Sequence, residues 1–361
     1  MASIVTTAIT ATTVPATSAG AVRIRILERG DAAPWRTYLE RHERCLFHRE
    51  QWAAPFATYR LAYTKLVALR DGEPVGILPL VRQRSWLFGD WFVSLPWFDA
   101  AGPLADDEPT RSALTSAAVA YARKQGADGV ELRHLVPDES LPPARSDKVL
   151  LRLQLECDGD TLWKRLAAKV RNQVRKGEKA NLQTETGGPE LVRDFHRVYS
   201  TNMGDLGSPA HSRRFFDAVM KSFGEDAQIH VTRLSGNVIG AGLTLRNGDC
   251  LEIPWASSLR RYNSLCVNHA MYWHMLRRAC DDGFRWFHFG RSTVDSGTYH
   301  FKRQWGAEPV PLYWYRIPTA AHSPAKPPGT HDSFVRATAI WQRMPLWVTR
   351  AVGPHVIRRV S

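Results

Sequence analysis

The sequence predicts a mixed α/β protein that contains two copies of one structural unit in tandem. A strand–turn–strand pattern occurs twice, as LVALRDGEPVGILPL at residues 66–80 and as IHVTRLSGNVIGAGLTL at residues 229–245. Each copy continues with a Pro-Trp step and then a helical run that ends at Asp-Gly before an apolar strand. Strands that alternate with a crossing helix are typical of mixed α/β domains. Two long copies also argue against a solenoid, which needs at least three short repeats.

We assign the first unit to residues 22–155 and the second unit to residues 156–318. The chain has 361 residues, which is enough for two domains. Its content of 44% hydrophobic and 23% charged residues is ordinary for a globular protein with a sizeable core.

Three segments fall outside the two units. Residues 1–21 are rich in Thr and Ala and carry no Lys or Arg, so we expect a disordered lead rather than a signal peptide. Residues 319–331 read as a Pro-rich linker. Residues 332–361 mix aromatic, aliphatic and Arg side chains, which suits a basic amphipathic tail on a membrane or a partner. A helix packed back on its own domain is the alternative.

The net charge of +13 favours anionic partners, such as a nucleic acid, a phosphorylated substrate or an acidic membrane surface. A role in solubility alone is the alternative. The five cysteines are far apart and include no C-x-x-C pair, which argues against a disulfide framework and against a metal site. The sequence contains no run of about 18 apolar residues, so it predicts no membrane-spanning helix. We therefore expect a cytoplasmic protein whose tail could place it at the inner membrane surface.

A strongly basic helix is predicted at the start of the second unit, in TLWKRLAAKVRNQVRKGEKANL. Its apolar residues recur every four positions and define one stripe: Leu162, Leu166, Val170 and Val174. The opposite side carries one acid, Glu178, and the cations Lys164, Arg165, Lys169, Arg171, Arg175, Lys176 and Lys179. Because the cations on this face repel one another, we expect an anionic partner there. A solvated face without a partner is the alternative.

Several long stretches resemble one known family. They are LPLVRQRSWLFGDWFVSLPWFDAAGPL, KVRNQVRKGEKANL, FGRSTVDSGTYHFKRQWGAEP and LYWYRI. They resemble the FemAB family, in the branch associated with exosortase and PEP-CTERM exopolysaccharide systems. The resemblance covers roughly residues 40–318, and the stretch WQRMPLWVTRAVGP in the tail resembles the same branch. It implies two GNAT-like (acyl-CoA N-acyltransferase) mixed-sheet domains in tandem, in agreement with the repeat.

The resemblance also implies a function. The protein would be an acyltransferase that moves an acyl or aminoacyl group onto an amine or hydroxyl of a cell-envelope or exopolysaccharide precursor. No bound cofactor is implied, and the donor co-substrate would be an acyl-CoA or an aminoacyl-tRNA. The alternatives are a peptidyl transferase that depends on aminoacyl-tRNA and a non-catalytic component that binds anions at the membrane surface.

The predicted catalytic residues lie near the end of the second unit. FKRQWGA resembles the GNAT segment that carries a Tyr general acid, and Lys302 stands at the Tyr position beside Phe301, as in the functional Phe-Lys pair of FemAB relatives. Ser296 is the expected N-cap of that helix and Gly306 its expected stop. Tyr299 is a further candidate, as a hydrogen-bond donor or as a packing residue.

The general base is left open among three residues. His288 stands where the family usually has an aspartate before Phe-Gly-Arg-Ser, and His269 and Glu252 are the other two. A buried, satisfied histidine is the alternative for each His.

The predicted binding residues form two groups. Substrate-binding candidates are Phe301 beside Lys302, then Arg291 and Ser292 just after a predicted strand, and Arg171, Asn172 and Arg175 in the family's K-x-R-N-x-x-R-K pattern. Donor-binding candidates are Arg260, Arg261, Tyr262 and Asn268. The second group lies in LRRYNSLCVN, where an ordinary GNAT domain would have a glycine-rich loop for a pyrophosphate, and no glycine is present. Structural hydrogen bonds or ion pairs are the alternative for Arg291, Tyr262 and Asn268.

Overall fold

The computed structural model describes residues 21–28, 30–42, 44–85, 89–145, 147–319 and 338–360. The expected disordered lead and the Pro-rich linker lie outside the described residues, except for residues 21 and 319.

The first of two mixed sheets has seven strands in the order β1-β2-β3-β4-β6-β14, with the short β5 paired to β3. The strands are β1 (Arg23–Leu27), β2 (Tyr63–Arg70), β3 (Glu73–Ser85), β4 (Gly89–Val93), β5 (Leu104–Ala105), β6 (Gly129–His134) and β14 (Tyr313–Pro318). Only β4 and β6 pair in parallel, on either side of the crossing helix α3 (Glu108–Lys124).

The second sheet also has seven strands, in the order β13-β7-β12-β11-β10-β9-β8. They are β7 (Lys148–Gln154), β8 (Gln183–Gly187), β9 (Ala227–Leu234), β10 (Asn237–Asn247), β11 (Cys250–Ser258), β12 (Trp286–Thr293) and β13 (Glu308–Pro311). Here β11 and β12 pair in parallel across helix α8 (Val267–Asp281). The predicted repeat is thus confirmed as two hairpin–strand–helix–strand units.

Tight turns explain both repeated hairpins. Asp71 and Gly72 connect β2 to β3 with φ values of 51° and 88°, and Ser235 and Gly236 connect β9 to β10 with 48° and 80°. Two positive φ values in succession give the turn that matches the twist of the strands, and glycine adopts them at little cost.

The two halves exchange strands, which the sequence did not predict. β7 precedes the predicted boundary at residues 155 and 156, yet it pairs with β12 and β13 of the second sheet. β14 belongs to the predicted second unit, yet it pairs with β6 of the first sheet. Sheet membership therefore does not follow the boundary proposed from the sequence.

The remaining helices cover the sheets. They are α1 (Ala33–Leu39), α2 (Ala53–Ala57), α4 (Gly159–Arg165), α5 (Ala168–Lys179), α6 (Val192–Asp205), α7 (Arg213–Phe223), α9 (Gly297–Arg303) and α10 (Leu346–Ile357). The predicted basic helix is two helices, because Leu166 and Ala167 are extended with ψ of 142° and 144°. No helix in the described part of the chain is long and apolar enough to cross a membrane.

One hydrophobic cluster joins the halves. Trp52 is fully buried, and its ring lies 4.2 Å from that of Phe98 and 4.7 Å from that of Phe223 in the second half. Its indole N–H donates to the Leu46 carbonyl at 2.9 Å. The shared core and the exchanged strands together fix the halves to each other.

Replacing Trp52 by Ala should lower the free energy of unfolding by about 3–5 kcal/mol, because it empties a buried site that both halves line. Urea unfolding followed by circular dichroism measures this. The matched control is Trp347→Ala, since the Trp347 side chain is 75% exposed. Equal losses for the two variants would show that Trp52 does not join the halves.

Candidate active site

The two parallel strands of the second sheet are paired over only part of their length. β11 and β12 pair only over Cys250–Glu252 and Trp286–His288. β11 then continues to Ser258 and β12 to Thr293 without further pairing between them in the described chain. β12 also shifts register against β7 between His288 and Arg291. The bulge in β12 therefore lies where the pairing with β11 has ended.

Lys302 of α9 is held at this bulge. Gly290 has a φ of 71°, which is a glycine conformation. The carbonyl oxygens of Gly290 and Arg291 accept hydrogen bonds from the Lys302 ammonium at 2.9 and 2.8 Å. The position of α9 follows from its N-cap, because the Ser296 hydroxyl accepts from the Tyr299 N–H at 3.2 Å as predicted.

The environment of Lys302 tunes its charge. The residue is 8% exposed, so Lys302 is a buried lysine and not a solvent-exposed one. The pKa of Lys302 is lowered from 10.5 to about 8, mainly by burial; the Asp99 carboxylate opposes this shift and the Arg291 cation adds to it. An ammonium has three N–H donors, and two are used by carbonyls of the described chain. The third can serve a bound ligand.

Asp99, from the first half, holds the bulge from the other side and was not predicted from the sequence. Its carboxylate accepts from the Arg291 backbone N–H at 2.9 Å and from the Arg291 guanidinium at 2.9 Å. The guanidinium also donates to the Trp97 carbonyl at 3.1 Å and lies 5.2 Å from the Trp314 ring. The Arg291 side chain thus makes the structural salt bridge that was the alternative to substrate binding.

Two buried polar atoms in this region have no hydrogen-bond partner among the described residues. They are the Ser292 hydroxyl and the Trp305 indole N–H, on residues that are 4% and 2% exposed. Buried polar groups are rarely left unpaired in a native protein, so a ligand is a natural partner for them. Trp305 also anchors α9 in the core, as its spacing from Phe301 predicts.

The three base candidates occupy different surroundings. The His288 Nδ1 lies 2.9 Å from a Glu252 carboxylate oxygen, and the same oxygen accepts from the Asn247 amide at 2.9 Å. The His269 Nε2 lies 3.2 Å from the Gln304 amide nitrogen, and its ring is 5.2 Å from that of Phe301. Burial and the Lys169 cation lower the pKa of His269 to about 4, so its imidazole is neutral at pH 7 and binds a proton only weakly.

Cys250, Glu252 and His288 are the one group in the described chain whose side chains could jointly hold a metal ion, with ligand atoms within 4.8 Å of one another. His288 and Cys250 both reach the same Glu252 oxygen, and the Cys250 sulfur lies 3.9 Å from it. Burial raises the pKa of the Cys250 thiol well above 9. A hydrogen-bonded buried carboxylate accounts for this arrangement.

Comparison with known proteins fits this geometry. Residues 164–303 match the family described as an acetyltransferase (GNAT) domain. A structure described as FemX is 14% identical, with a TM-score of 0.58 over 74% of this chain and 91% of that chain. L-PGS from Bacillus licheniformis is 12% identical, with a TM-score of 0.55 over 87% and 98%. No curated protein matches the chain.

A third solved structure is similar to this chain in both of its halves. It is a tandem GNAT protein from the clavulanic acid biosynthesis pathway, 12% identical, with a TM-score of 0.51 over 84% of this chain and 100% of that chain. The chain has a tandem GNAT fold. At these identities the likeness concerns the fold, so the resemblance to FemAB proteins is confirmed at that level, and the exosortase-associated branch stays a prediction.

The donor side of this GNAT fold departs from an ordinary one. Residues 260–265 form a 3₁₀ helix, and Cys266, with a φ of 60°, begins α8 in a conformation that favours glycine. Arg260 and Arg261 are exposed and line an open pocket of about 380 Å³ with Thr201, Asp205 and Leu259. The Arg261 guanidinium lies 4.9 Å from the Tyr262 ring. Tyr262 and Asn268 are half-buried, and their donor role stays a prediction.

The basic face of α4 and α5 is partly structural. The Arg171 guanidinium donates to the carbonyls of Lys164 and Leu166 at 3.1 and 3.0 Å, so it caps the C-terminus of α4 instead of facing a substrate. Arg175 and Asn172 are exposed, and the Arg175 guanidinium lies 5.5 Å from the Trp163 ring. Tyr299 is half-buried and packs against the core of this half.

The pKa of Lys302 predicts a pH dependence of stability. Since the folded pKa is about 8 and the unfolded value 10.5, the unfolded chain binds more protons between these limits. The wild type should therefore gain about 3 kcal/mol relative to Lys302→Met as the pH rises through this window. Urea titrations of both proteins at pH 7 and above pH 10 measure the difference, and a constant difference contradicts the buried charge.

Asp99→Asn should lower the pKa of Lys302 further, because it removes the carboxylate that favours the ammonium form. The measurement is an NMR titration of the lysine ¹³Cε resonance that is missing in Lys302→Met. Glu139→Gln, which removes an exposed acid elsewhere, is the control and should leave that resonance unchanged. An unchanged pKa in Asp99→Asn would contradict the coupling across the halves.

Proposed function

We propose that the protein is an acyltransferase that moves an acyl or aminoacyl group onto an amine or hydroxyl of a cell-envelope or exopolysaccharide precursor. The observation that carries the proposal is the buried Lys302 ammonium on the β12 bulge, with one N–H donor left for a ligand. The GNAT fold supports the same reaction class.

The reaction needs charge stabilisation more than a strong base. The acceptor nitrogen or oxygen attacks the acyl carbonyl, so a C–N or C–O bond forms while the bond to the leaving oxygen or sulfur breaks. Negative charge grows on the carbonyl oxygen, and a preorganised donor in a dry site lowers the barrier. The third N–H of Lys302 supplies that donor. The proton released by the acceptor leaves with the departing group.

The unpaired polar atoms support substrate orientation. The Ser292 hydroxyl follows Arg291 on β12, and the Trp305 indole lies on the segment just after α9, so both flank the elements that carry Lys302. Hydrogen bonds from both to a substrate would hold the acyl group in line with the acceptor. Phe301 contributes an apolar edge beside His269.

The proposal has two versions, which differ in the acyl-donor substrate. The chain lacks the glycine-rich loop that holds a pyrophosphate, which weighs against plain acetyl-CoA. The exposed cations of α4 and α5, among them Lys169, Lys176 and Lys179, suit a polyanion such as the tRNA of an aminoacyl donor. An acyl-CoA whose phosphates are held by Arg260 and Arg261 is the other version.

Mass spectrometry after incubation with a panel of acyl-CoAs, aminoacyl-tRNA and envelope precursors tests the proposal. We expect a transferred group with one donor class, and a loss of about 100-fold or more in kcat for Lys302→Met. RNase should abolish transfer only in the tRNA version. Lys124→Met, on the exposed face of α3, is the matched control. Unchanged turnover in Lys302→Met would contradict the mechanism.

A further inference from the structure

The C-terminal helix α10 is fixed to both halves along one face. Thr349, Gly353 and Ile357 are buried at intervals of one turn, and a Cβ added to Gly353 would lie 3.1 Å from the backbone of Ala210. The Arg350 guanidinium donates to the Ser200 hydroxyl of α6 at 2.9 Å. At the end of the helix, the Trp97 indole donates to the Val360 carbonyl at 2.8 Å. The tail therefore packs back on the protein, which is one of the two arrangements expected from the sequence.

The opposite face of the tail is apolar and exposed. Trp347 is 75% exposed and Ile340 is 59% exposed. Leu206, at the end of α6, is 56% exposed and precedes Gly207, against which Thr338 packs. Three of the eight large apolar side chains that are exposed in the described chain lie within residues 338–360. Exposure of a Trp side chain to water on a rigid helix is energetically unfavourable. Trp side chains are enriched at the interface between water and lipid, so this position suits such an interface.

The charge around this face is mainly positive. Residues 338–360 contain no Asp or Glu and four arginines: Arg343, Arg350, Arg358 and Arg359. Arg260 and Arg261 add two exposed cations at the pocket that Thr201 and Asp205 of α6 line. Arg350 reaches the Thr201 hydroxyl at 3.5 Å, so the two basic groups are neighbours on α6. Asp205 is the acid on this pocket.

We propose that this tail face, formed by Leu206, Ile340, Arg343, Trp347, Val352 and Arg359, docks the protein on the surface of an anionic bilayer. Apolar side chains enter the headgroup region, while arginines pair with lipid phosphates at its edge. Neither apolar insertion nor pairing with phosphates alone holds a protein firmly on a membrane, and the tail face presents both on segments that are already packed against the protein. The docking does not depend on which donor or acceptor the active site uses.

Cosedimentation of the full-length chain with sucrose-loaded vesicles tests the docking. One set of vesicles is phosphatidylcholine alone, and the other contains about 30% phosphatidylglycerol, both in about 0.1 M salt. We expect binding to the anionic vesicles only, weakened by added salt. Trp347→Ser should lower the partition coefficient about tenfold, through lost apolar burial. Arg343→Gln should lower it about fivefold, through one lost cation.

Matched controls separate the tail face from general basicity. Leu135→Ser removes an exposed apolar side chain elsewhere, and Lys124→Gln removes an exposed cation from α3. Both should bind like the wild type. Absence of binding by the intact chain overturns the proposal. Binding that survives Trp347→Ser and Arg343→Gln also overturns it, because another surface is then responsible. A dimer in light scattering that Trp347→Ser dissolves, without vesicle binding, would assign the face to a second copy of the chain.

Discussion

The contact on which the site depends is the one between the Lys302 ammonium and two strand carbonyls. At the bulge in β12 the carbonyls of Gly290 and Arg291 accept from this ammonium, and unpaired carbonyls are costly inside a protein. A buried ammonium is also costly, unless acceptors surround it. Each therefore stabilises the other, and the pair sets the distance between α9 and β12. Asp99 completes the arrangement, because its carboxylate fixes the next peptide N–H and balances two nearby cations.

Because Asp99 belongs to the first half, the geometry of the site rests on contacts between the halves. Exchange of β7 and β14 makes each sheet incomplete without a strand from the other part of the chain. The shared core around Trp52 and Trp255 removes the remaining freedom. Trp314 of β14 lies between two guanidiniums, with Arg133 at 4.1 Å and Arg291 at 5.2 Å. The first half thus acts as a rigid support for the site of the second.

Local patterns in the sequence were enough for the repeated hairpins, for the crossing helices and for the placement of Lys302 on a capped short helix. Each of these depends on residues close in the chain, such as Asp71-Gly72 in a turn or Ser296 at an N-cap. Strand exchange, by contrast, depends on which distant sheet edge a strand pairs with, and the sequence of the strand does not specify that edge. Asp99 reaches Arg291 across 192 positions for the same reason. Arg171 looked like part of a binding face because the break at Leu166, which it caps, leaves the apolar spacing unchanged.

The two halves share a topology, but their parallel strands are used differently, and this asymmetry supports chemistry in the second half alone. In the first half, the edge of β6 beyond its pairing with β4 is occupied by the chain's own backbone. The Ser94 N–H donates to the Glu131 carbonyl at 2.9 Å, and the N–H groups of Ala101 and Gly102 donate to the Arg133 carbonyl at 3.1 and 2.7 Å. The corresponding edge of β12 has no such bonds to β11 beyond His288 in the described chain. On that edge the Asp99 side chain binds the Arg291 N–H and the Lys302 ammonium binds the carbonyls of Gly290 and Arg291, so ionisable side chains stand where the first half uses its own backbone.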